Sequence, residues 1–177
     1  TGTFGNFSTV RVVDQIRQCV AYSYKPVQLC GSHAGISLGV DGATHQIMED
    51  IALMRALPNI TVINTCDYSQ TFMATKAIAE WDGPVYLRFG RPVVPDFSPI
   101  DVPFEIGKGI TFAEGKDVTL VATGHLVWEA LEACRILEEK GISAEVIDIH
   151  TIKPLDNDLL LKSISKTRCV VTAEEHV

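Results

Sequence analysis

The chain is short of the features that mark several whole classes of protein. Its 177 residues contain no stretch of about 18 consecutive apolar residues, which argues against a membrane-spanning helix. Basic charge is scarce. Fifteen Lys and Arg against 22 Asp and Glu leave a formal net charge of −7, the reverse of the balance that a general nucleic-acid binder carries. Neither G-x-G-x-x-G nor the Walker pattern occurs, so no nucleotide site is read from a motif. The five cysteines (Cys19, Cys30, Cys66, Cys134 and Cys169) fit neither a CxxC pair nor a zinc ligand set. They sit among apolar neighbours and are expected to be small buried hydrophobes in a reduced, cytoplasmic compartment, not a disulfide framework. Thr1 to Thr9 hold no basic patch followed by an apolar run, so no secretory leader is read there. They hold no initiator methionine either, and the expectation is a chain cut from something longer.

What is present is enough for a packed core. Hydrophobic residues make up 46% of the chain, too many for a disordered tail. Short apolar runs alternate with longer amphipathic stretches. Strands are predicted at Val27–Gly31, Ile60–Asn64, Pro84–Phe89, Val118–Ala122, Glu145–Ile149 and Cys169–Thr172. Helices are predicted at Arg11–Ala21, from Asp67 to about Glu80, at His125–Lys140 and at Asn157–Ser165. A further helix, carrying Ile47, Ile51 and Met54 on its apolar face, is predicted to start at an N-cap on Thr44. Asp67 and Gln70 have capping-box spacing. Strands alternating with helices imply parallel βαβ units. Pro92, Pro95, Pro99 and Pro103 break the rhythm, and residues 92–104 read as a stiff linker between two small α/β layers, 1–91 and 105–177. After the last strand, Glu174-Glu175-His176-Val177 reads as an unfinished end where a helix would usually follow.

The most unusual stretch is the glycine-studded loop Gly31–Gln46, between a strand and a helix. In open α/β sheets ligands bind at the carboxyl ends of the strands. His33, Asp41 and His45 are polar groups that can converge on a small hydroxylated ligand. His45 is expected in the first helical turn, where the helix dipole would keep its imidazole neutral. Arg88 and Arg91 close the last strand of the first layer on the same edge, where a guanidinium suits a phosphate or carboxylate; the alternative is a salt bridge to one of the 22 acidic residues. Phe4 and Phe7, three apart before the first helix, offer either core packing or a flat wall for an aromatic ligand. From the residues alone, the loop is open to two readings. One is a binding site; the other is an ordinary connection in which Asp41 serves a turn and His45 a cap. His125 and His150, in the second layer, read as structural, and Lys153 as solvated.

At these residues the sequence resembles a known family. Ser32-His33-Ala34-Gly35, Gly39-Val40-Asp41-Gly42-Ala43-Thr44-His45-Gln46 and Leu53-Met54-Arg55-Ala56-Leu57-Pro58-Asn59 closely resemble transketolase. Gly83-Pro84-Val85-Tyr86-Leu87-Arg88 and Ile149-His150-Thr151-Ile152-Lys153-Pro154-Leu155-Asp156 look like it too. The likeness covers nearly the whole chain and is greatest to the carboxy-terminal half, which some bacteria make as a separate subunit. It implies an α/β fold: part of a thiamine-diphosphate-binding pyrimidine domain with a parallel sheet, then part of a small three-layer C-terminal domain. It also implies transfer of a two-carbon ketol unit from a ketose phosphate to an aldose phosphate, with thiamine diphosphate as cofactor. By the same resemblance, Phe7 stacks on the aminopyrimidine ring, with Phe4 in the same wall. His45 is catalytic, contacting the donor's reacting end. Asp41 reads the C2 hydroxyl, and His33 and Arg91 bind the substrate phosphate. Val10 stands where some members have tyrosine, and Val40 where many have an acid.

The family's catalytic glutamate is expected before Thr1. Magnesium or calcium is expected only in a partner diphosphate-binding domain, so an N-terminal subunit or domain, in a homodimer or heterotetramer, is implied, and the stretch is expected to be inactive alone. The competing readings are another thiamine enzyme or a non-catalytic assembly module of the same fold. A deoxyxylulose-phosphate synthase would carry an arginine near His33. A 2-oxo acid dehydrogenase β subunit usually lacks the D-G-x-T-H-Q run.

Overall fold

The structure, a computed structural model, describes residues 1–177. It begins with a short strand β1 (Gly2–Phe4), a single helical turn α1 (Gly5–Ser8), a 3-10 turn at Val10–Val12, α2 (Val13–Gln15) and a π-helical segment Ile16–Tyr22. There follow β2 (Gln28–Ser32), a 3-10 turn at Ile36–Leu38, α3 (Asp50–Ala56), β3 (Thr61–Asn64), α4 (Tyr68–Ala79) and β4 (Val85–Arg88). After the proline-rich stretch come β5 (Ile110–Ala113), β6 (Val118–Ala122), α5 (Leu126–Glu139), β7 (Ala144–Asp148), β8 (Thr151–Lys153), α6 (Asn157–Thr167) and β9 (Val170–Ala173).

Two sheets result. The first has the order β1-β2-β4-β3-β8, and the second β5-β7-β6-β9. In the first, β1, β2, β4 and β3 run parallel, as alternation with helices implies. Ile16, Ala21, Ile51 and Met54 pack with Leu29, Val62 and Tyr86 in one core cluster. Ala74 and Ile78 of α4 pack with Ile63, Val85 and Leu87 in another. Neighbouring strand residues face opposite ways, so helices cover both sides. The second sheet is built likewise. Leu120 and Val146 pack with Val127 and Ala130 of α5. Thr119, one residue over, bonds Ser163 and Thr167 of α6 at 2.6 and 2.7 Å.

Several expectations are corrected. The helix expected over 11–21 is continuous only in outline, and from Ile16 it winds as a π-helix. Winding at i→i+5 brings Ile16 and Ala21 into register, and these two are buried while Cys19 is exposed. Cys169 is exposed too, and Cys30 and Cys134 are only half-buried, so Cys66 alone fits the buried-cysteine expectation; all five are free thiols. Two strands are antiparallel edges that the alternation did not suggest: β5 on β7, and β8 on β3. By joining the first sheet, β8 stitches the later part of the chain to the earlier part. Lys153 is half-buried rather than fully solvated. Its Nζ donates to the Arg55 and Leu57 carbonyls at 3.0 and 2.6 Å, closing the open end of α3, and partial burial lowers its pKa. After β9, residues 174–177 turn back onto the first sheet, where His176 and Val177 bond Ala52 and Met48.

Candidate active site

β1 and β2 are parallel and end side by side, with Phe4 opposite Ser32. That register sets Phe4 beside His33, the first residue past β2. Their rings stack with centroids 4.1 Å apart and planes 16° apart. Phe7 lies one helical turn on, parallel to Phe4 within 7° at 5.8 Å. His45 meets both phenyl rings edge-on, at 6.0 Å from Phe4 and 5.1 Å from Phe7. Four residues spread over 42 positions of sequence thus form one half-buried aromatic cluster at the carboxyl edge of the sheet. Arg11 lays its guanidinium 4.4 Å over Phe7, and Asn6 donates to the Thr44 carbonyl at 2.7 Å, so α1 and the glycine loop hold each other. His33 Nδ1 pairs with the Ser32 hydroxyl at 3.0 Å and His45 Nδ1 with the Thr44 hydroxyl at 2.9 Å. Each contact fixes a ring orientation and leaves Nε2 for a ligand.

Arg91, three residues past β4, reaches across to Asp41 on the glycine loop. Arg91 Nη1 donates to the Leu38 carbonyl at 2.8 Å and to Asp41 Oδ2 at 3.2 Å. Both side chains are about 40% exposed, so the ion pair contributes no more than about 1 kcal/mol and is readily exchanged for a ligand.

Two expectations fail here. His45 is not in a helical turn. The loop turns at Gly39 and Gly42, both at positive φ, and His45 N–H is taken by the Gly42 carbonyl. α3 starts only at Asp50, so Thr44 caps nothing and no helix dipole reaches His45. Arg88 is no surface clamp either. It is 1% exposed, with Nε on Asp50 Oδ2 at 2.8 Å. Tyr86 donates to the same oxygen at 2.7 Å, and burial beside Asp50 raises the Tyr86 phenol well above its usual range.

The sequence reading also missed support from the chain's far end. Glu175 reaches the loop at Ser37, and His125, read as structural, sits 3.3 Å from the Glu175 carboxylate. Burial lowers the His125 pKa, with Glu175 acting in the opposite direction. No sequence motif marked Glu175; the pairing exists only because residues 174–177 fold back.

The model of the transketolase pyrimidine-binding domain matches residues 1–96, and that of the transketolase C-terminal domain residues 107–177. The chain belongs to the transketolase family. A putative transketolase C-terminal section of Methanocaldococcus jannaschii is 45% identical over 98% of the chain and 55% of its own length. A 6-deoxy-6-sulfo-D-fructose transketolase subunit of a Clostridium species is 44% identical over 98% of the chain and 54% of its length. 1-Deoxy-D-xylulose-5-phosphate synthases, that of Geobacter sulfurreducens among them, are 36–40% identical. A solved split-gene transketolase, an inactive β4 tetramer, superposes with a TM-score of 0.92 at 45% identity, over 99% of this chain and 56% of that one. The chain spans about half the length of its first relatives.

Transketolases use thiamine diphosphate, and the pyrimidine-binding domain is the part present here. The residues fit that half of the cofactor. Phe4 and Phe7 present parallel rings for a heteroaromatic face, and two imidazoles lie within ring-contact distance of them. Among the His, Cys, Asp and Glu side chains, no group of three is placed to hold a metal ion. No helix is long and apolar enough to cross a membrane.

Proposed function

We propose that this chain supplies the pyrimidine side of a transketolase active site that moves a two-carbon ketol unit from a ketose phosphate to an aldose phosphate. The observation that carries the reading is the joining of Phe4, Phe7, His33 and His45 in one cluster, with Asp41 on the same loop as the histidines and Arg91 bonded to it. Phe7, with Phe4 behind it, holds the pyrimidine ring. When bound, thiamine diphosphate supplies the electron sink for carbon–carbon cleavage. His45 offers its open Nε2 to the reacting hydroxyl and carbonyl end of the donor, the position for moving a proton. Asp41 accepts from the sugar's C2 hydroxyl, and His33 and Arg91 hold the phosphate. Engaging the sugar phosphate releases the exposed Arg91–Asp41 pair, freeing one partner for the phosphate and the other for the hydroxyl. A diphosphate-binding N-terminal subunit or domain completes the site and carries the magnesium or calcium, in a homodimer or heterotetramer. The free thiols and lack of a membrane helix suit an enzyme of the cytoplasm.

The test is reconstitution of the full-length chain with its diphosphate-binding partner, assayed with xylulose phosphate against pyruvate as donor. Ketol transfer from the sugar phosphate is expected; its absence sinks the proposal, and use of pyruvate instead identifies a synthase. His45→Ala is expected to lower kcat at least about 100-fold with folding unchanged. Equal activity of that variant would make the chain an assembly module.

A further inference from the structure

Residues 174–177 fold back onto the first sheet. Glu175 projects back across the first sheet into the glycine loop. Its carboxylate accepts from the Ser37 backbone N–H and, at 3.0 Å, from the Ser37 hydroxyl. The space it fills exists because residue 35 is glycine. A β-carbon built there would overlap the carboxylate, and Gly35 also holds a φ of +88° that other residues rarely adopt. Behind, His125 Nε2 lies 3.3 Å from the Glu175 carboxylate at the start of α5, and Arg88 Nη2 donates to the Glu175 carbonyl at 2.9 Å. The flanking residues are tied down as well. His176 Nε2 accepts from the Ala52 N–H at 3.2 Å, and Val177 N–H donates to the Met48 carbonyl at 3.0 Å. The Glu175 side chain is only about 10% exposed.

We infer that Glu175 is a positioning residue for the substrate loop: anchored by His125 and Arg88, it fixes the turn at Ser37 and through it the placement of His33, Asp41 and His45. Ser37 lies between His33 and Asp41 in sequence, and the next carbonyl, Leu38, is the one that holds Arg91. A clamp at Ser37 therefore bears on both substrate-binding arms of the loop. Phe4 and Phe7 sit on β1 and α1, held by the pairing of β1 with β2, and meet the loop at His33 and His45 rather than at Ser37, so the cofactor wall is expected to respond less than the substrate-binding residues. The inference gives the second half of the chain a share in substrate recognition, and it rests on the transketolase reading of the loop.

The experiment uses Glu175→Ala and Glu175→Gln in the reconstituted enzyme, with two readouts. The first, amide hydrogen exchange, does not depend on activity. Glu175→Ala is expected to speed exchange at residues 35–39 at least about tenfold, the effect of losing a hydrogen bond to a charged group, while the β6 strand is unchanged. Unchanged exchange in the loop overturns the inference. The second is kinetic. Glu175→Ala is expected to raise the KM for the ketose phosphate about tenfold, with kcat less affected and thiamine diphosphate affinity within about twofold of wild type. Glu175→Gln, which keeps an acceptor for Ser37 N–H, is expected to return KM to within about threefold. A wild-type KM in the alanine variant, or a loss that follows cofactor affinity and melting temperature together, overturns the positioning role. Should Glu175→Ala not fold, Ser37→Ala removes the hydroxyl contact from the loop side and is expected to raise KM about threefold; no change overturns the inference. Faster loop exchange in an enzyme whose wild type transfers no ketol unit refutes the functional reading, and the substrate role with it, while leaving the contact itself demonstrated.

Discussion

Arg88 carries a full charge with 1% of its surface exposed, a placement tolerated only because every face of the guanidinium finds an acceptor. Asp50 takes Nε, Asn64 lies 3.4 Å from Nη1, and Nη2 reaches the Glu175 carbonyl. Asp50 is itself fully buried, with Oδ1 left without a partner, so its carboxylate depends on Arg88 and Tyr86, which share Oδ2. Asp50→Ala is expected to lower stability by about 3–5 kcal/mol, measured by urea unfolding, because it strands the guanidinium. Asp50→Asn keeps an acceptor and is expected to lose less. The sequence places Arg88 at the right strand end and offers a salt bridge to an acid as one of two tasks, but not which acid. Nothing near residue 88 announces that Asp50 will meet it, since that contact depends on how α3 packs over the sheet. The position of His33 was legible for the opposite reason: it lies just past a predicted strand, where parallel strands gather their loops whatever the details of packing. Phe4 and Phe7 join it through β1, which the sequence did not announce, and His45 through the return of the glycine loop.

At the scale of elements, α4 shows how far a local signal reaches. The Asp67–Gln70 spacing predicts a cap, and Asp67 Oδ1 does accept from the Gln70 N–H at 2.8 Å. The return contact goes to the Cys66 N–H at 2.8 Å, one residue earlier than a capping box requires. The second Asp67 oxygen takes the Phe97 and Ser98 N–H groups at 2.9 and 2.6 Å. Asp96 adds bonds to the Ser69 N–H and hydroxyl. The proline-rich stretch is therefore fastened to the start of α4, a use of its aspartate that composition could not reveal. Asp67→Ala removes a cap and two charged hydrogen bonds and is expected to cost about 2–4 kcal/mol in thermal unfolding. Asp67→Asn should recover part of that. Strands β1 and β8 escaped the sequence reading because three residues carry no usable period, and β5 because all four of its residues are half-buried and show no alternation. The helix expected from Thr44 starts only at Asp50: the Gly42 carbonyl takes both the His45 and Gln46 N–H groups, closing a turn in place of the first helical turn.

At the scale of the whole molecule, the two sheets are not independent. β8 completes the first sheet, residues 174–177 cover its loops, and Gln70 of α4 donates to Asp148 at the end of β7 at 2.6 Å. A single cooperative transition is expected. Trp81 lies after α4 and Trp128 in α5, so Trp81→Phe and Trp128→Phe leave one fluorescent reporter on each side. Their urea midpoints should coincide, and separate midpoints would mean that the shared strand does not couple the sheets. The junction is also expected to respond to pH. Asp148 is fully buried and its Oδ1 has no partner. Burial pushes its carboxyl up to about 8; the Gln70 hydrogen bond pulls it back, and nearby Asp67 pushes it further up. An unfolded aspartate titrates near about 3.9, so between that pH and 8 the folded state holds a proton that the unfolded state has lost. The group's contribution is therefore present in full below about pH 4 and is lost as pH rises through 8. Asp148→Asn keeps an acceptor for Gln70 and cannot ionise. It is expected to exceed the wild type in stability at pH 8, with the difference shrinking steadily toward pH 4. Urea midpoints of the two proteins across that range check this. Every other titrating group is common to both, so parallel curves would mean that Asp148 ionises at an ordinary pH and that its burial is not maintained in solution.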